Sequence, residues 1–279
     1  MKICRFDDDR IGVVEGDRVI DVTLALAQVL AGGVAPWPLI IETLAGWSAE
    51  AFAECPARAR GDVTLRAPAY GVGKIVAAPV NYLAHVREME AAGLLTAQDS
   101  PQILDAGLFL KASSSLAGPA DGIALRFPGR RTDFEVELVA LIGRTASEVP
   151  AAAALDHVAG YCLGLDVTLR GPEDRSFRKS IDGYSVIGPW LVTPDELGDP
   201  QSVRLSLRQN RMLRQDSLTS DMVLGVAELI AFASTFYTLQ PGDLLFTGTP
   251  AGVGPLRAGD ELHAESPQIG AMRVAVRGQ

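Results

Sequence analysis

Short runs of alternating apolar and polar residues cover most of the chain, and glycine, proline, asparagine and aspartate separate them. Alternation with a period of two predicts β-strands, and the closely spaced turn residues predict that these strands are short. Helical spacing of apolar residues is confined to a few stretches, which we predict as helices at residues 24–30, 39–53, 83–90, 151–158 and 222–236. The chain shows neither a regular β–α–β order nor an internal repeat. The pattern therefore predicts a mainly β (α+β) fold.

The first 70 residues combine short strands and tight turns with two of the predicted helices, whereas strands dominate afterwards. Residues 56–70 carry two prolines and a glycine and show little periodicity, which is typical of a connection between domains. We therefore expect a small N-terminal α+β domain at residues 1–70 and a larger domain, rich in strands, at residues 71–279.

One stretch places two carboxylates inside an apolar strand. Phe134–Ile142 is predicted as a single strand, and Glu135 and Glu137 are two residues apart in it, so both side chains lie on the same face. Two neighbouring negative charges beside an apolar run are costly unless a positive group neutralises them. A hard divalent cation, which prefers oxygen ligands, would do so. The alternative at this point is a solvated strand edge with two surface glutamates.

A second apolar strand, at residues 160–168, contains a lone carboxylate, Asp166. A carboxylate at the end of an apolar strand is either paired or coordinating, so Asp166 is a natural third ligand beside Glu135 and Glu137. The sequence has only 3 histidines, which argues against a histidine-rich site. Any metal is therefore expected to be held by oxygen atoms.

A candidate general base lies in the predicted helix 83–90. His85 and Glu88 are three residues apart and are therefore neighbours on one helical face. A carboxylate in this position can orient an imidazole and raise its basicity, which a general base requires. The alternative is an exposed helix pair with little energetic effect.

Two polar segments complete the pattern. Residues 91–107 are irregular, and we expect a mobile segment over a site there. Residues 169–184 carry many charges, and we predict a loop whose charged side chains are mostly solvated.

The composition narrows the classes of partner and compartment. The chain has 279 residues, of which 48% are hydrophobic and 21% charged, and its net charge is −9. This charge argues against nucleic acid or an anionic membrane as a partner, because both require a basic face. No apolar run reaches the roughly 18 residues that a membrane helix requires, and the N-terminus lacks the apolar region of a signal peptide. The 3 widely spaced cysteines suit buried thiols in a reducing compartment, so we expect a cytoplasmic protein.

Eight stretches of the chain resemble the fumarylacetoacetate hydrolase family, and they occur in the family's order between residues 74 and 255. They are Asn81–Met89, Ser114–Pro119, Phe134–Leu138, Asp166–Arg170, Lys179–Asp182, Gly188–Thr193, Arg214–Met222 and Pro241–Gly254. Each is weak alone, and their number and order make the match specific. The resemblance implies a mixed β-roll catalytic domain behind a small N-terminal domain, and a homodimer.

The resemblance also implies the chemistry of the site. It assigns a Mg²⁺ ion, with Mn²⁺ or Ca²⁺ as alternatives, to Glu135, Glu137 and Asp166. These are the same ligands that the strand pattern indicates. The pair that activates water in the family matches His85 and Glu88.

Further roles are carried over from the family to single residues. Lys179 matches the lysine that stabilises developing negative charge. Thr249 matches a contact to the substrate carboxylate, and Gly248 precedes it in the same glycine-rich loop. Tyr82 and Arg170 also fall on family positions, and we expect both to contact the substrate.

The chain departs from the usual family pattern in several places. Pro79–Val80 stands where a glycine is common, Ala112 stands where a proline is frequent, and Glu173 stands where many members have a glutamine. That glutamine donates a hydrogen bond to the substrate oxyanion, which a carboxylate cannot do unless it is protonated. The segment at residues 89–107 is also long for a family lid, so the size of the substrate cannot be carried over.

The resemblance predicts a metal-dependent enzyme that hydrolyses a carbon–carbon bond in a 2,4-dioxo acid, such as an acylpyruvate or fumarylpyruvate, and releases pyruvate or a related 2-oxo acid. Related enolate chemistry would serve decarboxylation of an oxaloacetate-like acid or isomerisation of a 2-hydroxymuconate-type diacid, and Glu173 favours these alternatives. A non-catalytic protein with a structural cation is a third alternative. The presence of His85, Glu88 and Lys179 argues against it.

Overall fold

The computed structural model describes residues 1–29, 37–93 and 102–278. The strands within these residues are β1 Lys2–Phe6, β2 Arg10–Glu15, β3 Arg18–Asp21, β4 Ala57–Ala59, β5 Ile75–Ala77, β6 Phe109–Lys111, β7 Leu116–Ala117, β8 Ile123–Ala124, β9 Thr132–Phe134, β10 Val136–Ile142, β11 Val158–Asp166, β12 Thr168–Leu169, β13 Ser185–Val192, β14 Arg204–Gln209, β15 Met212–Leu218, β16 Leu244–Phe246, β17 Gly254–Pro255, β18 Glu261–Ser266 and β19 Gly270–Arg277. The helices are α1 Thr23–Val29, α2 Trp37–Ala45, α3 Ala49–Ala53, α4 Leu83–Ala91, α5 Ile103–Ala106, α6 Ala151–Ala154, α7 Arg175–Lys179, α8 Pro194–Leu197 and α9 Val226–Phe236.

Three sheets organise these elements. The largest has 11 strands, in the order β4-β3-β2-β1-β13-β11-β10-β16-β5-β6 with β7 beside β13. A 5-stranded sheet has the order β15-β14-β18-β19-β8, and a 3-stranded sheet has the order β12-β9-β17. Most pairs are antiparallel, and the parallel exceptions are β5 with β16, β7 with β13 and β8 with β19. The prediction of a mainly β fold with flanking helices is confirmed.

The N-terminal strands continue the largest sheet, because β1 pairs antiparallel with β13. Strands β1 to β3 form successive antiparallel pairs, and the acidic run at residues 7–9 is the turn between β1 and β2. The domain boundary near residue 70 stays a prediction.

Strand β10 carries the core on both of its faces. Val136, Leu138, Ala140 and Ile142 belong to one buried apolar cluster, whereas the side chains of Val139 and Leu141 belong to a second cluster. The period of two therefore runs through the whole strand, as the sequence predicts. Truncating a fully buried leucine of this strand to alanine would cost about 2–5 kcal/mol of stability.

Several predicted helices differ in extent. The single helix predicted at residues 39–53 is two helices, because Ser48 caps a new helix through a hydrogen bond from Ala51 N to its hydroxyl. The last helix begins at Val226 instead of residue 222, with the side chain of Glu228 accepting from Gly225 N at 2.7 Å. The helix predicted at 151–158 is α-helical to Ala154 and continues as a 3₁₀ helix over Leu155–His157, and β11 begins at Val158.

The predicted mobile segment at residues 91–107 falls partly outside the described residues, since 94–101 are not among them. Ile103–Ala106 forms helix α5, and Ile103 is buried. The helix predicted at 24–30 is α1, and residue 30 lies outside the described part. Within the described residues, no helix combines the length and apolar character needed to cross a membrane.

Candidate active site

The strand that carries the two glutamates is interrupted at the first of them. Strand β9 ends at Phe134 and β10 begins at Val136, so the single strand predicted at Phe134–Ile142 is wrong at Glu135. The reason is that the two parts belong to different sheets: β9 pairs with β12 and β17, whereas β10 pairs with β11 and β16. The carbonyl of Glu135 accepts from Asp166 N at 2.9 Å, which brings the end of β11 to the break.

The three predicted ligands meet at this junction. Glu135, Glu137 and Asp166 are 3%, 1% and 1% exposed. One carboxylate oxygen from each lies within 4.8 Å of the other two. The alternative of a solvated strand edge is wrong, because neither glutamate reaches the surface.

Two lysines and an arginine surround the carboxylates. Lys179 Nζ lies 2.6 Å from both Glu135 Oε2 and Asp166 Oδ2. Arg170 Nη2 donates to Glu135 Oε1 at 3.0 Å. Lys111 Nζ donates to Asp166 Oδ1 at 2.5 Å. The prediction of a mostly solvated loop at residues 169–184 is therefore wrong for Lys179, which is buried at the end of α7.

The surroundings shift the pKa values of the two glutamates in opposite directions. Burial raises the pKa of Glu135, but Lys179 and Arg170 outweigh it and lower that pKa to about 2. Burial, and next the charge of Asp166, raise the pKa of Glu137 well above its ordinary value, and Lys179 opposes this only in part. Glu137 accepts a hydrogen bond from Gly248 N at 2.7 Å. Its charge is thus the least compensated of the three.

This donor set suits a hard divalent cation. All three groups offer carboxylate oxygens, which Mg²⁺ and Mn²⁺ prefer over nitrogen or sulfur ligands. A bound dication would also compensate the charge of Glu137, whose ionisation is unfavourable without one. The residues present therefore fit a divalent metal.

The His85–Glu88 pair lies on helix α4, as predicted. His85 Nδ1 is 3.4 Å from Glu88 Oε2, and Gly252 N donates to Glu88 Oε2 at 3.0 Å. Burial raises the pKa of Glu88, but the contacts with His85 and Gly252 lower it below its ordinary value. His85 is also among the groups that lower the pKa of Glu135.

The glycine-rich loop after β16 connects the cluster to this pair. Gly248 has φ +96°, and a Cβ there would lie 2.7 Å from Asn81 Cβ, so only glycine fits. Gly252 has φ +101°, and a Cβ there would lie 1.9 Å from Arg214 O. The backbone amides of these two glycines reach Glu137 and Glu88 respectively.

Thr249 uses its side chain within the protein. Its hydroxyl donates to Val136 O at 2.8 Å and accepts from Gln215 Nε2 at 2.8 Å. The hydroxyl proton is therefore committed to the backbone between the two glutamates. A contact from Thr249 to a substrate carboxylate stays a prediction.

Tyr82 immediately precedes helix α4 and is 1% exposed. Its hydroxyl has no hydrogen-bond partner among the described residues. Burial, and next the charge of Glu137, raise its pKa, so the phenol remains protonated and lies in the field of the cluster. An unpaired buried hydroxyl is costly. A contact from Tyr82 to a substrate stays a prediction.

Glu173 is engaged away from the carboxylates. Both of its oxygens accept from Arg130, at 2.8 and 2.7 Å, in a paired arrangement. This ion pair and the hydrogen bond from Arg130 Nη2 to Arg170 O hold the 170–173 turn to the segment before β9. Its carboxylate is thus occupied by a guanidinium.

Sequence reasoning missed three buried polar residues around the site. Asp133 accepts from Arg170 Nε at 2.7 Å and so orients the arginine that contacts Glu135. Lys111 and Gln215 were not assigned roles either. Asp133 continues the spacing of two set by Glu135 and Glu137, and Lys111 ends an apolar strand, so both carried a usable signal. For Gln215 the sequence offers no such pattern.

The chain is similar to known proteins over its whole length. Residues 74–277 match the model of the family described as fumarylacetoacetate (FAA) hydrolase C-terminal. Maleylpyruvate hydrolase of Aquipseudomonas alcaligenes is 49% identical over 286 residues, which cover 99% of each chain. The 2,4-didehydro-3-deoxy-L-rhamnonate hydrolase of Sphingomonas sp. (strain SKA58) is 36% identical over 293 residues, which cover 99% of this chain and 96% of that one.

A solved structure has the same fold. It is maleylpyruvate hydrolase from Sphingobium sp. SYK-6 in complex with manganese (II) ion and pyruvate, with a TM-score of 0.84, 37% identity and coverage of 100% of this chain and 99% of that one. The family match and these relatives agree with the geometry of the buried carboxylates and the neighbouring imidazole. The chain belongs to the fumarylacetoacetate hydrolase family.

Proposed function

We propose that this protein is a divalent-metal-dependent hydrolase that cleaves the carbon–carbon bond of an acylpyruvate, with maleylpyruvate as its substrate. One observation carries the proposal: the glycine-rich loop joins a buried trio of carboxylates to a histidine–glutamate pair on helix α4, since Gly248 N reaches Glu137 and Gly252 N reaches Glu88. The 49% identical relative is a maleylpyruvate hydrolase, and the similar solved structure contains manganese (II) ion and pyruvate.

The carboxylates provide the binding end of the site. Glu135, Glu137 and Asp166 would hold the ion, which would polarise the oxygens of a pyruvyl unit and stabilise negative charge on them. Tyr82 has a buried hydroxyl without a partner among the described residues, and we assign it a hydrogen bond to the substrate. We also assign the loop at Gly248 and Thr249 to the substrate carboxylate. Gly248 N is already bonded to Glu137, so the backbone amide of Thr249 would make that contact.

The histidine pair provides the proton transfer. Glu88, held by Gly252 N, orients His85, and the imidazole removes a proton from water as that water attacks the distal carbonyl. The carbon–carbon bond next to that carbonyl then breaks. Its electron pair passes to the pyruvyl unit as an enolate, and the proton that His85 took from water is delivered to the enolate carbon, which gives pyruvate. The acyl fragment leaves as maleate.

Positive side chains would stabilise the enolate. Lys179 Nζ lies 2.6 Å from Glu135 and Asp166, and Arg170 lies 3.0 Å from Glu135. Both are held by buried partners, so neither must reorganise when negative charge develops on the substrate.

Decarboxylation or isomerisation is the second candidate, and Glu173 favours it. Many family members have a glutamine there that donates to the substrate oxyanion, whereas Glu173 is paired with Arg130. Enolate chemistry without an attacking water needs no such donor.

Product analysis distinguishes the candidates. The protein loaded with Mg²⁺ is incubated with maleylpyruvate, fumarylpyruvate, acetylpyruvate and oxaloacetate, and pyruvate is measured with lactate dehydrogenase. We expect pyruvate from the acylpyruvates, fastest from maleylpyruvate, with maleate formed in equal amount. Pyruvate from oxaloacetate alone would overturn the hydrolase proposal.

Three finer features belong to the same proposal. The native ion is Mg²⁺, with Mn²⁺ able to replace it. The active form is a homodimer, to which exposed Phe177 and Phe236, 63% and 67% exposed, would contribute apolar surface. The protein works in the cytoplasm, in keeping with its three free cysteines. Metal analysis of purified protein and light scattering test the first two.

A further inference from the structure

A buried glutamine on β15 contacts the backbone between the two glutamates. Gln215 is fully buried, and its Oε1 accepts from Val136 N at 2.9 Å. Its Nε2 donates to Thr249 Oγ1 and to Pro250 O, both at 2.8 Å. One side-chain amide therefore joins β15, the start of β10 and the glycine-rich loop.

The peptide group of Val136 explains why this contact is needed. On one side β10 pairs with β11, but on the other side its partner β16 covers only Val139–Leu141. Among the described strands, none therefore lies beside Val136 on that side. Instead, the side-chain oxygen of Gln215 accepts a hydrogen bond from Val136 N, and the hydroxyl of Thr249 donates one to Val136 O at 2.8 Å. Buried backbone groups left without such partners are costly.

The same contacts control where the carboxylates lie. Val136 is the residue between Glu135 and Glu137, so fixing its peptide group fixes the relative position of their side chains. Pro250 follows Gly248 and Thr249 in the loop whose amides reach Glu137 and Glu88. Holding the loop therefore also sets the position of the histidine pair relative to the carboxylates.

We propose that Gln215 is a positioning residue for the metal site: it sets the separation of the two glutamate ligands and keeps the glycine-rich loop in register with them. The inference rests on the proposed function in requiring that these carboxylates bind a divalent ion. Residues that orient metal ligands through hydrogen bonds change affinity or activity by about 10–100-fold when they are lost.

The test compares two buried glutamines of similar hydrogen bonding. Gln215→Met removes the amide while keeping most of its volume. Gln209→Met is the matched control, because Gln209 is buried in the adjacent strand and makes two similar hydrogen bonds. It donates to Pro255 O at 2.9 Å and to Asp260 Oδ2 at 2.7 Å, and it has no hydrogen bond to the three proposed metal ligands. The Mn²⁺ affinity of each variant is measured by electron paramagnetic resonance titration without substrate. The stability of each variant is measured by unfolding in urea.

We expect Gln215→Met to weaken Mn²⁺ binding by about tenfold and to alter the spectrum of the bound ion. Its kcat should fall more than its KM changes, because the pyruvyl contacts remain while the histidine pair is displaced. Gln209→Met should lose comparable stability but bind Mn²⁺ with the wild-type affinity.

A second pair of variants keeps the test decisive if Gln215→Met does not fold. Thr249→Val removes the hydroxyl that links Gln215 to Val136 O, and Thr249→Ser retains it. We expect weaker Mn²⁺ binding in the valine variant and wild-type binding in the serine variant.

The outcomes separate two failures. Wild-type protein that binds no Mn²⁺ would overturn the proposed function together with this inference. Wild-type protein that binds Mn²⁺, with Gln215→Met or Thr249→Val binding equally well, would overturn only the role of Gln215.

Discussion

The carboxylate cluster and the His85–Glu88 pair are adjacent parts of one site, but the protein fixes them differently. Glu137 and Asp166 lie on strands, and Glu135 lies at the break between β9 and β10. All three are 1–3% exposed, and Glu135 and Asp166 are held by ion pairs of 2.5–3.0 Å. The histidine pair lies on a helix of nine residues, and the Glu88 side chain is 32% exposed. His85 Nδ1 and Glu88 Oε2 are 3.4 Å apart.

This difference indicates that the two regions have different roles in the site. The cluster is preorganised by burial and by neighbouring cations, so binding an ion should require little rearrangement. The pair depends on one short helix and on an amide of the glycine-rich loop, so it can adjust when substrate arrives. Hydrogen bonds of catalytic groups are often long in structures without substrate and shorten in the reacting complex.

Removing a carboxylate ligand should have the largest effect. Glu137→Gln should weaken Mn²⁺ binding by more than about 100-fold, because a ligand should matter more than residues that only orient one. Turnover should become undetectable, while the metal-free protein should unfold no more easily, since the ionised form of Glu137 is unfavourable there. Calorimetric titration and urea unfolding measure both quantities.

Exposed Glu265 provides the control for that substitution. Glu265→Gln should leave Mn²⁺ affinity and turnover unchanged. Strong Mn²⁺ binding by Glu137→Gln would show that the ion lies elsewhere.

Removing the imidazole should separate the two regions. His85→Ala should lower kcat by about 10²–10⁴-fold, the usual contribution of a positioned acid–base group. Its Mn²⁺ affinity should stay at the wild-type value, because the carboxylates are unchanged. A parallel loss of affinity would mean that the pair and the cluster are not separable. No change in kcat would favour a structural cation.

Removing a cation from the cluster should affect stability before metal is added. Lys179→Met leaves Glu135 and Asp166 without a shared buried partner, and breaking such pairs costs about 3–5 kcal/mol. Mn²⁺ should restore much of this loss, because it compensates the same carboxylates. Urea unfolding with and without Mn²⁺ measures the effect.

Lys74 offers a matched comparison, because it pairs with buried Asp243 at 2.6 Å. Lys74→Met should be destabilised equally with and without Mn²⁺. If Mn²⁺ fails to narrow the gap between Lys179→Met and the wild-type protein, Lys179 does not share its partners with the ion.

The smallest expected effect concerns the helix alone. The pKa of Glu88 is lowered in the folded protein, so its contribution to docking α4 is present above its ordinary pKa and is lost as pH falls through the lowered value. Hydrogen exchange of amides in α4, corrected for the intrinsic pH dependence, should therefore lose protection towards acid pH. Amides of β10 should keep theirs. Equal behaviour of both segments would contradict the contrast between the regions.

The sequence predicted the site better than it predicted the elements that carry it. A spacing of two identified Glu135 and Glu137 on one face, and an apolar strand ending in a carboxylate identified Asp166. Both signals can be read from the sequence because a buried group of carboxylates places charged residues inside apolar strands, and each strand shows this on its own. The break at Glu135 left no trace in hydrophobicity, since residues on both sides of it are apolar and buried.

The surroundings of the site depend on contacts between distant segments. Gln215 and Val136 are 79 residues apart, and Lys111 and Asp166 are 55 apart. Local pattern contains no information about such pairs. The prediction that the charged residues of 169–184 are mostly solvated also failed for Lys179. A stretch with many charges predicts solvent exposure, although the side chains of Arg178 and Lys179 are buried.

Diffraction from a crystal soaked with Mn²⁺ and measured at the manganese absorption edge would locate the ion. We predict one anomalous peak per chain, bound by oxygens of Glu135, Glu137 and Asp166 and facing His85. A peak at another place, or none at these three carboxylates, would contradict the account.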